Sequence, residues 1–131
     1  METQSTIHYD ARKNRIYLKM VGFHDVEEAK RLLNLYREAA SQCRKGYTVL
    51  ADVSEYKPGT DEVQKIHAEA AHIDAKAGVK KVARVVGHAP LGGMQIARIS
   101  KKEGGYESAH FETFQEAEAY LDEEQEDIRN V

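Results

Sequence analysis

The sequence has a single cysteine, no excess of basic residues and no long apolar run. One cysteine, Cys43, makes an intrachain disulfide impossible. Lys and Arg number 19 against 22 Asp and Glu, a net charge of -3 that argues against a general nucleic-acid binder. No apolar stretch approaches the roughly 20 residues that span a bilayer, and the N-terminus lacks the plan of a secretion signal. These absences predict a cytoplasmic protein that binds no nucleic acid.

The composition is that of one ordinary globular domain. The chain has 131 residues, of which 41% are hydrophobic and 31% charged, which suits a single core. No internal repeat, low-complexity tract or linker divides it. We therefore predict one domain over residues 1–131, with its core at about 5–122 and an acidic C-terminal tail at 123–131.

Hydrophobic periodicity predicts the order of the secondary structure. Apolar residues that alternate or run together predict five strands, in TIHYD, RIYLKMVG, YTVLADV, KKVARVVG and YESAHF. Apolar residues three and four positions apart predict four helices, in HDVEEAKRLLNLYREAASQC, from Val63 to Gly78, in LGGMQIARISKKEGG and in TFQEAEAYLDEE. The order β-β-α-β-α-β-α-β-α predicts an α/β fold. An N-terminal hairpin would lead into a mostly parallel five-stranded sheet, with the helices largely on one side.

Four segments carry a resemblance to a known family. They are DARKNRIYLKMVGF, VLADVSEY, AGVKKVARVVG and ESAHFETFQEAEAYLD. With this element order, the chain resembles the STAS domain, and within it the SpoIIAA-like branch of small stand-alone proteins. The resemblance implies a non-enzymatic signalling module that acts through a protein partner. It also implies, for this branch, a small hydrophobic ligand or an association with membranes.

The same resemblance points to the segment after the third strand. In signalling members an Asp-x-Ser-like stretch ends this strand, and a partner kinase phosphorylates a serine or threonine at the start of the next helix. Asp52, Ser54 and Thr60 take these places, and KPGTDEV stands where signalling members carry an Asp-Ser-Ser-Gly type of string. A phosphate at a helix start would be stabilised by free N–H groups. A plain helix cap at Thr60 or Asp61, with Gln64 completing a capping box if Asp61 is the cap, is the favoured interpretation.

Arg84 is a charged residue in the middle of an apolar strand. A buried charge needs a partner. If the third and fourth strands are neighbours, Asp52 is the predicted partner in an Arg84–Asp52 structural pair. The alternative is that Arg84 reaches an exposed face and meets a ligand or a second subunit.

The remaining reactive side chains do not form a recognisable site. The histidines are His8, His24, His67, His72, His88 and His110. His67 and His72 are five apart, which places them on different helix faces, so neither a metal site nor a cofactor is predicted. Cys43 lies on the apolar stripe of the first predicted helix and is interpreted as a small buried hydrophobe. No order of residues typical of a catalytic triad is present, and no catalytic residue is predicted.

Two function hypotheses have residues behind them, whereas a third, an unrecognised enzyme, has none. The first is a regulatory module that contacts an unidentified protein partner through residues 52–64. The second is a binder of a small hydrophobic ligand, or a peripheral membrane protein, with a cavity between the second and third predicted helices and the sheet. Its predicted lining is Val63, Ile66, Ile73, Met94 and Ile96. Basic residues at the helix ends favour membrane contact less than they favour simple complementation of helix dipoles. The uncovered sheet face is also a candidate for homodimerisation.

Overall fold

The fold is an α/β sheet with helices on both faces. A computed structural model describes residues 4–87 and 108–129, with side chains described as far as residue 122. The strands are β1 (Thr6–Asp10), β2 (Arg15–Gly22), β3 (Thr48–Tyr56), β4 (Lys81–Val85) and β5 (Ser108–Phe111). The helices of this part of the chain are α1 (Val26–Gln42), α2 (Asp61–Ala77) and α3 (Phe114–Arg129). The predicted helix in LGGMQIARISKKEGG lies outside the described residues.

The strands follow one another across the sheet in chain order, β1-β2-β3-β4-β5. β1 and β2 form the predicted antiparallel hairpin, and every later pair is parallel. Each parallel connection in the described part passes through a helix, as a crossover requires. The prediction of an α/β fold with a hairpin and a mostly parallel five-stranded sheet is confirmed.

The two sheet faces are covered by different helices. Ile16, Val49 and Val82 lie in register on one face and pack with Tyr36 and Ala39 of α1. Residues of α2 complete this layer, so two of the three described helices share a face. The opposite face packs α3 through the buried side chains of Leu50, Ala83, Ala117 and Leu121. Where α3 covers the strands, the fold therefore has three layers, with the sheet between two layers of helices.

Local capping explains where the helices begin and end. The Asp25 side chain accepts a hydrogen bond from Glu28 N at 2.8 Å, which confirms the predicted start of α1. Thr60, rather than Asp61, caps α2. Gly78 ends α2 with a positive φ of 85°, a conformation that glycine adopts without a Cβ penalty. These signals lie within a few residues of each boundary, so the sequence reveals them.

Two boundaries differ from the prediction by more than the one or two residues by which the others shift. β3 continues to Tyr56 instead of ending at Val53, so Ser54 belongs to the strand and not to the loop after it. The last helix continues to Arg129 instead of ending near Glu124, which makes most of the predicted acidic tail helical. Backbone pairing with β2 extends β3, since Glu55 and Tyr56 lie opposite Val21 and Gly22.

Candidate functional site

The candidate site lies at the edge of the sheet where the parallel strands end and α1 and α2 begin. Residues 23–25 connect β2 to α1, and residues 57–60 connect β3 to α2. Lys57 N donates a hydrogen bond to Gly22 O at 3.0 Å, which ties the two connections together. In open α/β sheets this carboxyl edge is where ligands and partners usually bind. We call residues 23–25 and 57–62 the carboxyl-edge surface.

Asp52 and Ser54 form a local hydrogen-bonded pair just below this edge. Ser54 N and Ser54 Oγ both donate to Asp52 Oδ1, at 3.1 and 2.6 Å. Both residues are half-buried. Gly87 lies against Ser54, because a Cβ added there would be 3.0 Å from Ser54 Cβ. The serine hydroxyl is thus held by a carboxylate rather than presented to solvent.

Thr60 is placed differently, exposed at the first turn of α2. Its Oγ1 accepts from Val63 N at 3.3 Å, and its carbonyl accepts from Gln64 N at 2.9 Å. No hydrogen bond joins Thr60 to Asp52 or Ser54. Gly59, before it, is tightly confined, since an added Cβ would be 2.9 Å from both Tyr56 OH and Val63 Cγ1. Only a glycine fits this turn, so the connection has a defined shape.

Phe23 is a residue of this surface that the sequence analysis missed. Its side chain is 59% exposed, although an aromatic ring gains by burial. It stands between the glycine that ends β2 and the cap of α1. That position, outside the periodic pattern of both elements, is the signal that could have identified it. Around it, residues 23–27 and 57–62 carry the exposed acids Asp25, Glu27, Asp61 and Glu62 and one base, Lys57.

Behind the surface lies a cluster of two histidines, a serine and a tyrosine, of which His24, Ser5 and Tyr56 are buried and His67 is half-buried. His24 Nε2 is 2.9 Å from Ser5 Oγ, and His24 Nδ1 is 3.1 Å from His67 Nε2. The Tyr56 ring meets both imidazoles edge-on, with centroids 4.9 and 5.8 Å away. Burial lowers the pKa of His24, lowers the pKa of His67 to about 4 and raises the pKa of Tyr56 to about 12. All these groups are therefore neutral at neutral pH.

The structure does not bring Arg84 and Asp52 together as predicted. Arg84 lies opposite Ala51, whereas Asp52 lies opposite Val85. Because neighbouring residues of a strand point to opposite faces, the two side chains lie on opposite sides of the sheet. Arg84 is buried, and its Nη1 donates to Ser108 Oγ on β5. Two neighbouring strands can pair only those residues that their register places on the same face, and the register of β3 and β4 does not do this for Arg84 and Asp52.

The predicted ligand cavity is only partly supported. Ile66 lines a cavity, but this cavity lies between α1, α2 and the sheet, with Leu18, Leu32 and Tyr36 among its other walls. Val63 and Ile73 pack in the core instead. Met94 and Ile96 lie outside the described residues. The cavity volume is about 30 Å³, far below the roughly 300–1,000 Å³ of a typical ligand pocket.

Other chemical possibilities have little support in the described part of the chain. No group of three or more His, Cys, Asp or Glu side chains among residues 4–87 and 108–122 is arranged to hold a metal. None of the helices described is both long and apolar enough to cross a bilayer. Cys43 is half-buried, and burial raises the pKa of its thiol to about 11, so it is a poor nucleophile.

Comparison with known proteins gives structural matches only. No protein-family model matches the sequence, and no curated protein matches it. An uncharacterised protein of the DUF3478 family with a SpoIIAA-like fold, from Shewanella loihica, superposes with a TM-score of 0.71 at 18% identity, over 92% of this chain and 96% of that one. The anti-sigma factor antagonist SpoIIAA in its unphosphorylated form matches with a TM-score of 0.54 at 11% identity, over 97% and 99% of the two chains. The chain therefore has the SpoIIAA-like fold of STAS domains, as the resemblance in its sequence predicted.

Proposed function

We propose that this protein is a non-enzymatic regulatory module of the cytoplasm that binds a protein partner through the carboxyl-edge surface. The fold supports a regulatory role, because a solved protein that shares it is an anti-sigma factor antagonist. The observation that carries the proposal is Phe23, exposed on a connection that is tied to its neighbour by a backbone hydrogen bond. An exposed aromatic on a rigid support is the usual anchor of a protein interface.

The exposed charges near Phe23 indicate which kind of partner would bind. Asp25, Glu27, Asp61 and Glu62 are exposed within the carboxyl-edge surface or next to it, against the single base Lys57. Opposite charge on the partner speeds encounter and selects against acidic proteins. The partner is thus expected to offer an apolar pocket for Phe23, surrounded by basic side chains. Raising the salt concentration should slow its association.

Thr60 is the better candidate for phosphorylation, and Ser54 the poorer one. Thr60 is exposed at a helix start, where a phosphate meets free N–H groups. A phosphate on Ser54 would stand beside the Asp52 carboxylate that now accepts its hydroxyl. A phosphate on Thr60 would add about 1.5 to 2 negative charges to the carboxyl-edge surface. This change would alter partner binding without any change of fold.

Replacing Phe23 by alanine should remove the main anchor of the partner. We expect the affinity to fall at least about tenfold, or 1.4 kcal/mol, because hot-spot aromatics typically cost that much when truncated. The measurement is quantitative capture of partners from the protein's own cells, followed by titration of the purified partner. Phe114→Ala is the matched control, since Phe114 is also an exposed phenylalanine, 43% exposed, but lies on α3. Equal partner recovery by the Phe23→Ala variant and the parent protein would contradict the proposal.

Phosphorylation at Thr60 can be read directly by mass. The protein purified from its own cells should carry a phosphate that survives denaturation and maps to the peptide containing Thr60. Thr60→Ala should abolish that mass, whereas Ser54→Ala should leave it, because the Ser54 hydroxyl is held by Asp52. A phosphate that maps to Ser54, or a chain without phosphate, would mean that partner binding is not controlled through Thr60.

A further inference from the structure

The histidine cluster joins three separate parts of the chain. Ser5 precedes β1, His24 lies between β2 and α1, and His67 lies in the second turn of α2. Ser5 and His24 are nearly inaccessible, at 2% and 1% exposure. These side chains therefore hold the first half of α2 against the body of the domain. The docking of α2 near Thr60 depends on polar contacts as well as on apolar ones.

The hydrogen bonds leave room for only one proton between the two imidazoles. Val21 N donates to Ser5 Oγ at 2.9 Å, and Ser5 Oγ contacts His24 Nε2 at the same distance. On its other side, His24 Nδ1 faces His67 Nε2 at 3.1 Å. Such a contact needs one nitrogen to donate and the other to accept. If both rings were protonated, two N–H groups would face each other and the contact would break.

We infer that His24 and His67 form a proton-sensitive clamp, which holds the start of α2 while at least one ring is neutral and releases it when both rings are protonated. The clamp is intrinsic to the fold. Its consequence for regulation, that acid would disorganise the carboxyl-edge surface at Thr60, rests on the proposed function.

No charged group in the described part is placed to neutralise the extra proton by a direct hydrogen bond. Glu28 of α1 and the cap residue Asp25 favour a charge on His24 at a distance, but Glu28 bonds to Arg31 through two contacts of 2.7 and 2.9 Å. Arg31 also donates to Ser5 O and itself opposes a charge on His24. From β3, the cluster meets only the neutral phenol of Tyr56. An added positive charge would thus lie on the buried His24 ring or the half-buried His67 ring without a bonded counter-ion.

The direction of the pH effect follows from these contacts. Burial depresses the pKa of His67 to about 4, against 6.5 when the ring is exposed. Between about pH 4 and pH 6.5, the state in which α2 is released therefore binds more protons than the state in which it is held. The contribution of the clamp is complete above about pH 6.5 and is lost progressively as the pH falls towards 4. Opening should become up to about tenfold more frequent for each pH unit and each proton.

The test is amide hydrogen exchange of the full chain from neutral pH down to about pH 4, expressed as protection factors, with ring nitrogen spectra of the histidines alongside. Protection at residues 61–68 should fall with pH, while the amides of β2 and β3 stay protected. In His67→Gln, protection at residues 61–68 should fall less steeply with pH, by about tenfold per pH unit. The reason is that the glutamine amide keeps the hydrogen bond but takes up no proton. His72→Gln is the matched control, an exposed histidine on the same helix, and should behave as the parent protein does.

Two results would overturn the clamp. One is a loss of protection at residues 61–68 that is the same in His67→Gln and in the parent protein. The other is protonation of both His24 and His67 while these amides remain protected. Neither result depends on the partner, since capture through Phe23 is measured at neutral pH, where the clamp is closed. Failure of the clamp and failure of the docking proposal are therefore separate observations.

Discussion

Replacing Asp74 by alanine is expected to destabilise the fold by about 3–5 kcal/mol. Asp74 is 3% exposed on α2, and its carboxylate accepts from Tyr36 OH at 2.7 and 2.6 Å and from Tyr47 OH at 2.5 Å. Both phenols are themselves buried. Alanine would leave two buried hydroxyls without this acceptor, at about 1–3 kcal/mol each, and would open a cavity between α1, α2 and β3.

The measurement is the free energy of unfolding from urea titrations of the purified chain. Glu69→Ala is the matched control, because Glu69 is an exposed acid on the same helix and should change stability by no more than about 0.5 kcal/mol. Asp74→Asn keeps one oxygen as an acceptor and should lie between the parent protein and Asp74→Ala. A loss below about 1 kcal/mol for Asp74→Ala would mean that other groups satisfy the two phenols.

This cluster also shows which features the sequence could not reveal. Tyr36 lies on α1, Tyr47 lies immediately before β3, and Asp74 lies on α2; the two tyrosines are 38 and 27 residues from Asp74. Asp74 lies beside the apolar stripe of α2, four residues after Ala70 and three before Ala77, but this spacing does not show that its carboxylate is buried. Periodicity identifies which face of an element is apolar, but it does not identify which polar residue of that helix has partners in the core.

The candidate site was predictable to the extent that it is local. The caps at Asp25 and Gly78 and the hairpin boundaries follow from neighbouring residues, and these predictions are confirmed. The Arg84–Asp52 pair depended on register, which the sequence does not state. The contact between His24 and His67 joins positions 43 residues apart. Long-range contacts of this kind need the tertiary structure, which is why the clamp could not be proposed from the sequence.

The second large effect on stability is expected at Arg15 and Glu118, which lie on the face of the sheet that α3 covers. The Arg15 side chain is fully buried under α3. Its Nη1 donates to Glu118 Oε2 at 2.6 Å and to Asp122 Oδ1 at 3.0 Å, and its Nε donates to Thr48 Oγ1. Tyr17 OH also donates to Glu118, at 2.8 Å. This polar group anchors α3 to the hairpin end of the sheet, beside the apolar contacts of Ala117 and Leu121.

Glu118→Ala should cost about 2–4 kcal/mol, because it leaves a buried guanidinium with Asp122, whose side chain is 45% exposed, as its remaining bonded acid. Arg15→Met should cost less, since Glu118 is 24% exposed and keeps Lys13 and Tyr17 as partners. Once Arg15 is replaced by methionine, no buried cation remains that needs a counter-ion. The loss of stability in the double variant should therefore be smaller than the sum of the two single losses by about 1–3 kcal/mol. Urea unfolding of all four proteins measures this coupling, with Gln115→Ala as an exposed control on α3. Additive effects would mean that α3 is held by its apolar contacts alone, and the Arg15–Glu118 pair would then be a result of the docking of this helix and not a cause of it.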